Sequence, residues 1–261
     1  MIALDFGFGA LEAEFWRLVF VMTRIGAALL AAPIFGAGSV PVQIRVIATG
    51  ALAVFICVWF PAVQPPATLL SLAGMLAVAN EVLIGLALGF VLQIAFAAPV
   101  IAAEVISGAM GMSMATAVDP NSGAQSPALG QYFTVVLTLV FLALGAHLQL
   151  IALIAQSYEA FPPQQPWLSA GRVETILDFG GQMFATSVAI ALPVTLVLLL
   201  AQVVTGVISR SAPSLNLFAL GLPLGVLTGI AALIASAPVM TEAFVDVTLA
   251  AIDAARMVIA R

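Results

Sequence analysis

The feature that most constrains this chain is a succession of apolar runs, each long enough to cross a bilayer. A hydrocarbon core of about 30 Å takes about 20 residues of helix. Such runs lie at 15–35, 44–60, 69–98, 129–154, 184–208 and 217–237. Proline and glycine punctuate them: Pro33, Gly36, Gly38 and Pro41 after the first, Pro61, Pro65 and Pro66 after the second, Pro99 after the third. At 1.5 Å per residue the third run would reach about 45 Å, too long for an upright span, so it must tilt, break or extend past the lipid. A further apolar stretch, 101–118, runs into Asp119-Pro120-Asn121-Ser122-Gly123. The last segment, 240–261, has a helical pattern with Glu242, Asp246, Asp253 and Arg256 near one stripe, which predicts an amphipathic helix. The expected fold is an all-α polytopic membrane protein with about six hydrophobic segments, organised as a single integral membrane domain over 1–261.

Composition closes the alternatives. Hydrophobic residues make up 63% of the 261 positions and charged residues 7%, against roughly 25% charged in a soluble domain. Mean hydropathy is +1.22. A soluble globule could not keep so much apolar surface from water, so a soluble enzyme, a disordered tail and a disulfide scaffold are excluded. The net charge is -5, and all seven basic residues are arginines: Arg17, Arg24, Arg45, Arg172, Arg210, Arg256 and Arg261. They form no patch or tail, so neither nucleic acid nor polybasic recognition of anionic lipid is expected. Asp5, Glu12 and Glu14 precede Arg17, the opposite of the positive opening of a secretory signal, so no cleaved signal is expected. Under six spans, Arg45 and Arg210 fall in short breaks on one side, which the positive-inside tendency assigns to the cytoplasm.

Little in the chain carries chemistry. Cys57 is the single cysteine and His147 the single histidine, so no disulfide, metal site or cofactor is expected. There is no H-E-x-x-H, no G-x-S-x-G and no paired catalytic set, and an enzyme is not expected. Glu81 and Glu104 stand inside apolar stretches with Arg24 available to pair with either, and a charge at that depth must find a partner, water or protein. Glu81, Gly85, Gly89 and Gln93 step by four along one helix face. The acids read either as carboxyls hydrogen-bonded at a helix interface or as part of a proton relay. Gly85 with Gly89, and Gly221, Gly225 and Gly229, form G-x-x-x-G steps that permit close backbone approach, within the chain or against partner subunits. In the stretch 108–120, Met110, Met112 and Met114 alternate between Gly108, Gly111 and the Asp119-Pro120 turn. Flexible methionines there could fill a core or form a deformable constriction in a pore.

Taken in order, several segments resemble the FliR family of flagellar export-gate proteins, relatives of the T component of virulence type III secretion. They are Met112-Ser113-Met114-Ala115-Thr116-Ala117-Val118-Asp119-Pro120, Gly145-Ala146-His147-Leu148-Gln149-Leu150-Ile151, Ala191-Leu192-Pro193, Arg210-Ser211-Ala212-Pro213-Ser214-Leu215-Asn216 and Gly221-Leu222-Pro223. Arg24 to Pro33, followed by Pro41 and Arg45, is similar to the family's opening. The resemblance implies a bacterial inner-membrane, multi-pass protein of the flagellar basal body, built of bent helical hairpins within a helical export-gate assembly. It implies partners: FliP-like and FliQ-like subunits in the gate, an FlhB-like subunit around its entrance, unfolded protein substrates in transit, and membrane lipid. It implies a structural, non-enzymatic pore subunit whose loop at about 108–127, with Met110, Met112, Met114, Asp119 and Pro120, acts as a plug. Two alternatives stay open: a secondary transporter of a small solute, and the equivalent subunit of a virulence secretion system.

Overall fold

The structure is a computed structural model that describes residues 9–66, 69, 71–112, 128–163, 165–211 and 217–260. Met114, Asp119 and Pro120 lie outside the described residues. The chain is all-α: α1 (Ala10–Ala31), α2 (Val42–Trp59), α3 (Leu72–Ala109), α4 (Ala128–Ala143), α5 (Ala146–Ala160), α6 (Ala170–Ser211) and α7 (Leu217–Ala260). Among the described residues there is no strand.

Several boundaries follow from proline. Ala32, which precedes Pro33, is extended at φ -70° and ψ 140°, and this ends α1. Pro41 caps the start of α2, which then stops one residue before Phe60-Pro61. Other prolines do not stop their helices. Pro99 sits inside the 38-residue α3, Pro193 inside the 42-residue α6, and Pro223 and Pro238 inside the 44-residue α7. A proline removes one ladder bond, and a helix in apolar surroundings continues because neighbouring groups re-satisfy the freed carbonyl while no water competes for the rest.

The segment expected as one span at 129–154 is two helices. Gly145, at φ 66°, takes the left-handed conformation open mainly to glycine and separates α4 from α5. Among the described residues four helices are long and apolar enough to cross a membrane: Val42–Trp59, Leu72–Ala109, Ala170–Arg210 and Pro223–Ala260. The α4–α5 pair, counted as one broken span, makes five. The six hydropathy segments become five because α1 carries Glu12, Glu14, Arg17 and Arg24, and four if the broken α4–α5 pair is not counted as a span; the sixth segment continues into the amphipathic C-terminus as one helix, α7.

The chain divides into two compact units. The first comprises residues 1–94, 145–180 and 250–261, hence α1, α2, the first part of α3, α5, the start of α6 and the end of α7. Its buried residues include Phe20, Ile25, Ile84, Leu88, Leu150, Leu153 and Val258. The second comprises 95–144 and 181–249. Its aromatic residues meet edge to face, Phe96 on Phe141 at 5.6 Å and Phe133 on Phe244 at 5.4 Å, the arrangement the ring quadrupoles favour.

Burial is uneven. In the most apolar stretch of α3, 61% of residues are buried by the chain itself, against 17% in α2, 22% in α6 and 17% in α7. On α6, Phe184, Val188, Leu192, Leu196, Leu200 and Val203 are all exposed. Lipid, which competes weakly for helix contacts, or other helices must cover such faces.

Candidate functional site

Two buried arginines of the first unit stand on α1. Arg17 and Arg24 are seven residues apart, two helical turns, and so share one face. Both are buried, Arg24 completely. Arg17 donates from Nε to the Val63 carbonyl at 2.8 Å and from Nη2 to the carbonyls of Cys57 at 2.9 Å and Phe60 at 3.1 Å. These carbonyls lie at and beyond the C-terminus of α2. A cation there satisfies groups that have no intrahelical donor and meets the negative end of the helix dipole.

Arg24 does the same for α5 and adds an ion pair. Its Nε and Nη2 grip Glu81 Oε2 and Oε1 at 2.7 and 2.8 Å, and both side chains are fully buried. Nη2 also donates to the Phe161 carbonyl at 2.9 Å, just past α5, and Nη1 to Ser157 Oγ at 3.0 Å. The guanidinium carbon lies 4.0 Å from the Tyr158 ring centre, and the Tyr158 hydroxyl donates to the Val21 carbonyl at 2.9 Å. The fork thereby ties α1, α3 and α5 together with paired, desolvated groups. Both Glu81 oxygens are held by one cation, which favours the reading of a hydrogen-bonded carboxyl at a helix interface.

The glycines of α3 let this happen. A Cβ on Gly85 would stand 2.1 Å from the Arg24 carbonyl oxygen, and one on Gly89 would stand 2.4 Å from that of Ala28. Glu81, Gly85 and Gly89 therefore all face α1, whereas Gln93, the fourth member of the stripe, is exposed. Next to Glu81, Asn80 clamps the connection before α6: it donates to the Gln165 carbonyl at 2.7 Å and accepts from the Trp167 amide at 2.8 Å. Of the two acids expected to be buried, Glu81 is, and Glu104 is exposed on the surface of the chain. Hydropathy gave both residues the same apolar neighbourhood without saying which helix face meets a neighbour.

In the second unit the methionine stretch begins at a helix end. α3 ends at Ala109 and is closed by Gly111, at φ 81°, with the Gly111 amide bonded to the Gly108 carbonyl and the Met112 amide to the Ser107 carbonyl, both at 3.0 Å. This is the paired closure of a Schellman cap, and it needs glycine at the left-handed position. Gly108 itself lies within the helix. Met110 is buried against α7, where a Cβ on Gly225 would stand 3.0 Å from its carbonyl oxygen and one on Gly229 would stand 2.6 Å from its Cγ. Gly221 has no such neighbour within 4 Å. Gln202 of α6 donates to the Ala109 carbonyl at 2.8 Å.

Among the described residues no group of three or more His, Cys, Asp or Glu could hold a metal ion. The arrangement is that of a braced helical scaffold.

Comparison with known proteins fits that scaffold. The model of the family described as bacterial export proteins, family 1, matches residues 15–251. The chain belongs to this family. Its relatives include three proteins called flagellar biosynthetic protein FliR. The Escherichia coli K12 protein is 32% identical over 230 residues, 88% of this chain and 86% of its own. The Bacillus subtilis protein is 33% identical over 214 residues, 80% and 82% of the two chains. The Aquifex aeolicus protein is 31% identical over 218 residues, 84% of each. This member of the FliR family is a multi-pass inner-membrane component of the flagellar export apparatus. The sequence singles out Arg24 as a partner for a buried acid, but not the bonds by which Arg17 and Arg24 also satisfy carbonyls at the ends of α2 and α5. The available signal was the seven-residue spacing of Arg17 and Arg24 in a helix otherwise apolar at its centre.

Proposed function

We propose that this chain is a structural, non-catalytic subunit of the gate through which unfolded flagellar proteins leave the cytoplasm. The observation that carries the reading is the family match over residues 15–251, which spans nearly every helix. The exposed apolar faces of α2, α6 and α7 support it, because a lone transporter would bury more of its long helices in itself. FliP-like and FliQ-like subunits cover part of those faces, and an FlhB-like subunit meets the assembly at its entrance. The flagellar character of the three FliR relatives favours this branch over the virulence one.

In this reading the segment rooted at Met110 and carrying Met112, Met114, Asp119 and Pro120 blocks the passage at rest. Flexible thioether side chains close around vacancies of different shape, and a narrow apolar constriction excludes ions by dewetting. Export then shifts the balance between closed and open arrangements of the segment. Deleting residues 113–120 tests this. The complex should still co-purify with its FliP- and FliQ-like subunits while the inner membrane becomes permeable to a small impermeant solute. An assembled complex with an intact barrier would refute the plug. A stable, transport-active chain purified without partners would refute the gate.

A further inference from the structure

We propose that Met110 is a positioning residue, a pin that joins the end of α3 to the middle of α7 so that the two helices move as one body during export. Its consequence for permeability rests on the gate reading above. Its geometry does not.

Three observations in the second unit carry the inference. First, the seat is complementary. The Met110 side chain fills the space that Gly229 leaves open, with Cγ, Sδ and Cε all within 2.8 Å of where a Cβ would stand, and the Met110 carbonyl oxygen approaches Gly225. Glycines one turn apart make a notch, and here the notch has an occupant. Second, Met110 sits directly before the left-handed Gly111, inside a closed cap whose two amide bonds fix the course of the chain. The side chain cannot leave its seat by a free backbone rotation. Third, Gln202 of α6 holds the neighbouring Ala109 carbonyl from another direction. A residue meant to swing would not be buried against α7 and capped, with the carbonyl before it held from α6. Met110 is therefore a fixed point of the second unit.

The test is a removable lock. Cys57 is the chain's single cysteine, so a Cys57→Ser background leaves only introduced thiols. Met110→Cys with Gly229→Cys places two sulfurs where the Met110 Cγ already lies 2.6 Å from where a Gly229 Cβ would stand, within disulfide reach after small adjustment. In the complex assembled with its partners, oxidation should cross-link the pair, and export should continue. The reduced pair, lacking the methionine, should leak a small impermeant solute several-fold more than the oxidised one. A loss of stability alone would not switch with redox state in a complex already assembled.

Cross-linking that stops export overturns the pin, because Met110 must then leave its seat. Two accessible thiols that fail to cross-link overturn the contact. Equal leak in both states overturns the positioning role, provided that deletion of 113–120 does leak. If that deletion keeps the barrier, the plug reading falls, and cross-linking with continued export still upholds the pin. Should the cysteine pair fail to accumulate, Met110→Leu and Met110→Gly decide. Leucine should keep the barrier and glycine lose it at equal complex yield, and equal leak would overturn the pin.

Discussion

Arg24→Met is the sharpest perturbation available. It removes both bonds to Glu81, the bond to Ser157 and the bond to the Phe161 carbonyl, and it preserves most of the side-chain length. Glu81 is fully buried, so its carboxylate is left without a counter-ion. Removing one partner of a buried pair costs about 3–5 kcal/mol. The Phe161 carbonyl adds about 1–3 kcal/mol if nothing replaces the donor. Ser157 contributes less, because its hydroxyl still donates to Ile154 at 2.6 Å. These costs overlap, so about 3–5 kcal/mol overall is the working figure, roughly 100- to 4000-fold in the folded population. Glu81→Leu should cost a similar amount, because it leaves Arg24 charged and buried. Arg24→Met with Glu81→Leu removes both charges and should cost less than the sum of the single changes, with a coupling of about 0.5–3 kcal/mol. The assay is the yield and thermal midpoint of the complex co-expressed with its partners and extracted in detergent. Wild-type midpoints for both single variants, or strict additivity in the double, would show that the buried fork does not hold the first unit together.

Other outcomes follow from the same geometry. Gly85→Ala drives a methyl to 2.1 Å from a backbone oxygen that no side-chain rotation can move, so it should abolish accumulation of the complex, whereas Gly221→Ala, with open space, should be tolerated; immunoblots of membranes compare them. Arg17→Gln frees the carbonyls of Cys57, Phe60 and Val63, at about 1–3 kcal/mol, and should raise the rate at which a maleimide labels the half-buried Cys57. Glu104→Gln removes a charge from the chain's exposed surface and should leave assembly intact. If Glu104 couples export to protons, the export rate of that variant will lose its dependence on external pH.

What the sequence made legible was what a short stretch decides for itself. Pro33 and Pro61 end helices by excluding the α conformation from the residue before them, and the Glu81–Gly85–Gly89 stripe follows from the helical repeat alone. The break at Gly145 was hidden because 129–154 is apolar throughout, and one left-handed residue leaves no mark on hydropathy. Pro99 misleads in the opposite direction: it reads as an end, but α3 absorbs it and runs on to Ala109, where Gly111 closes it. The arginine caps were out of reach for a different reason. Arg17 meets a carbonyl 46 residues away and Arg24 one 137 residues away, and no local pattern encodes which helix end will arrive there. Each arginine still constrained the answer, since a buried guanidinium must find several acceptors and an apolar chain offers mainly its helix C-termini. Lysine would satisfy that demand poorly, with a compact charge in place of a planar fork. The all-arginine basic set of this chain follows that preference at Arg17 and Arg24, and Arg24→Lys should recover only part of what Arg24→Met loses.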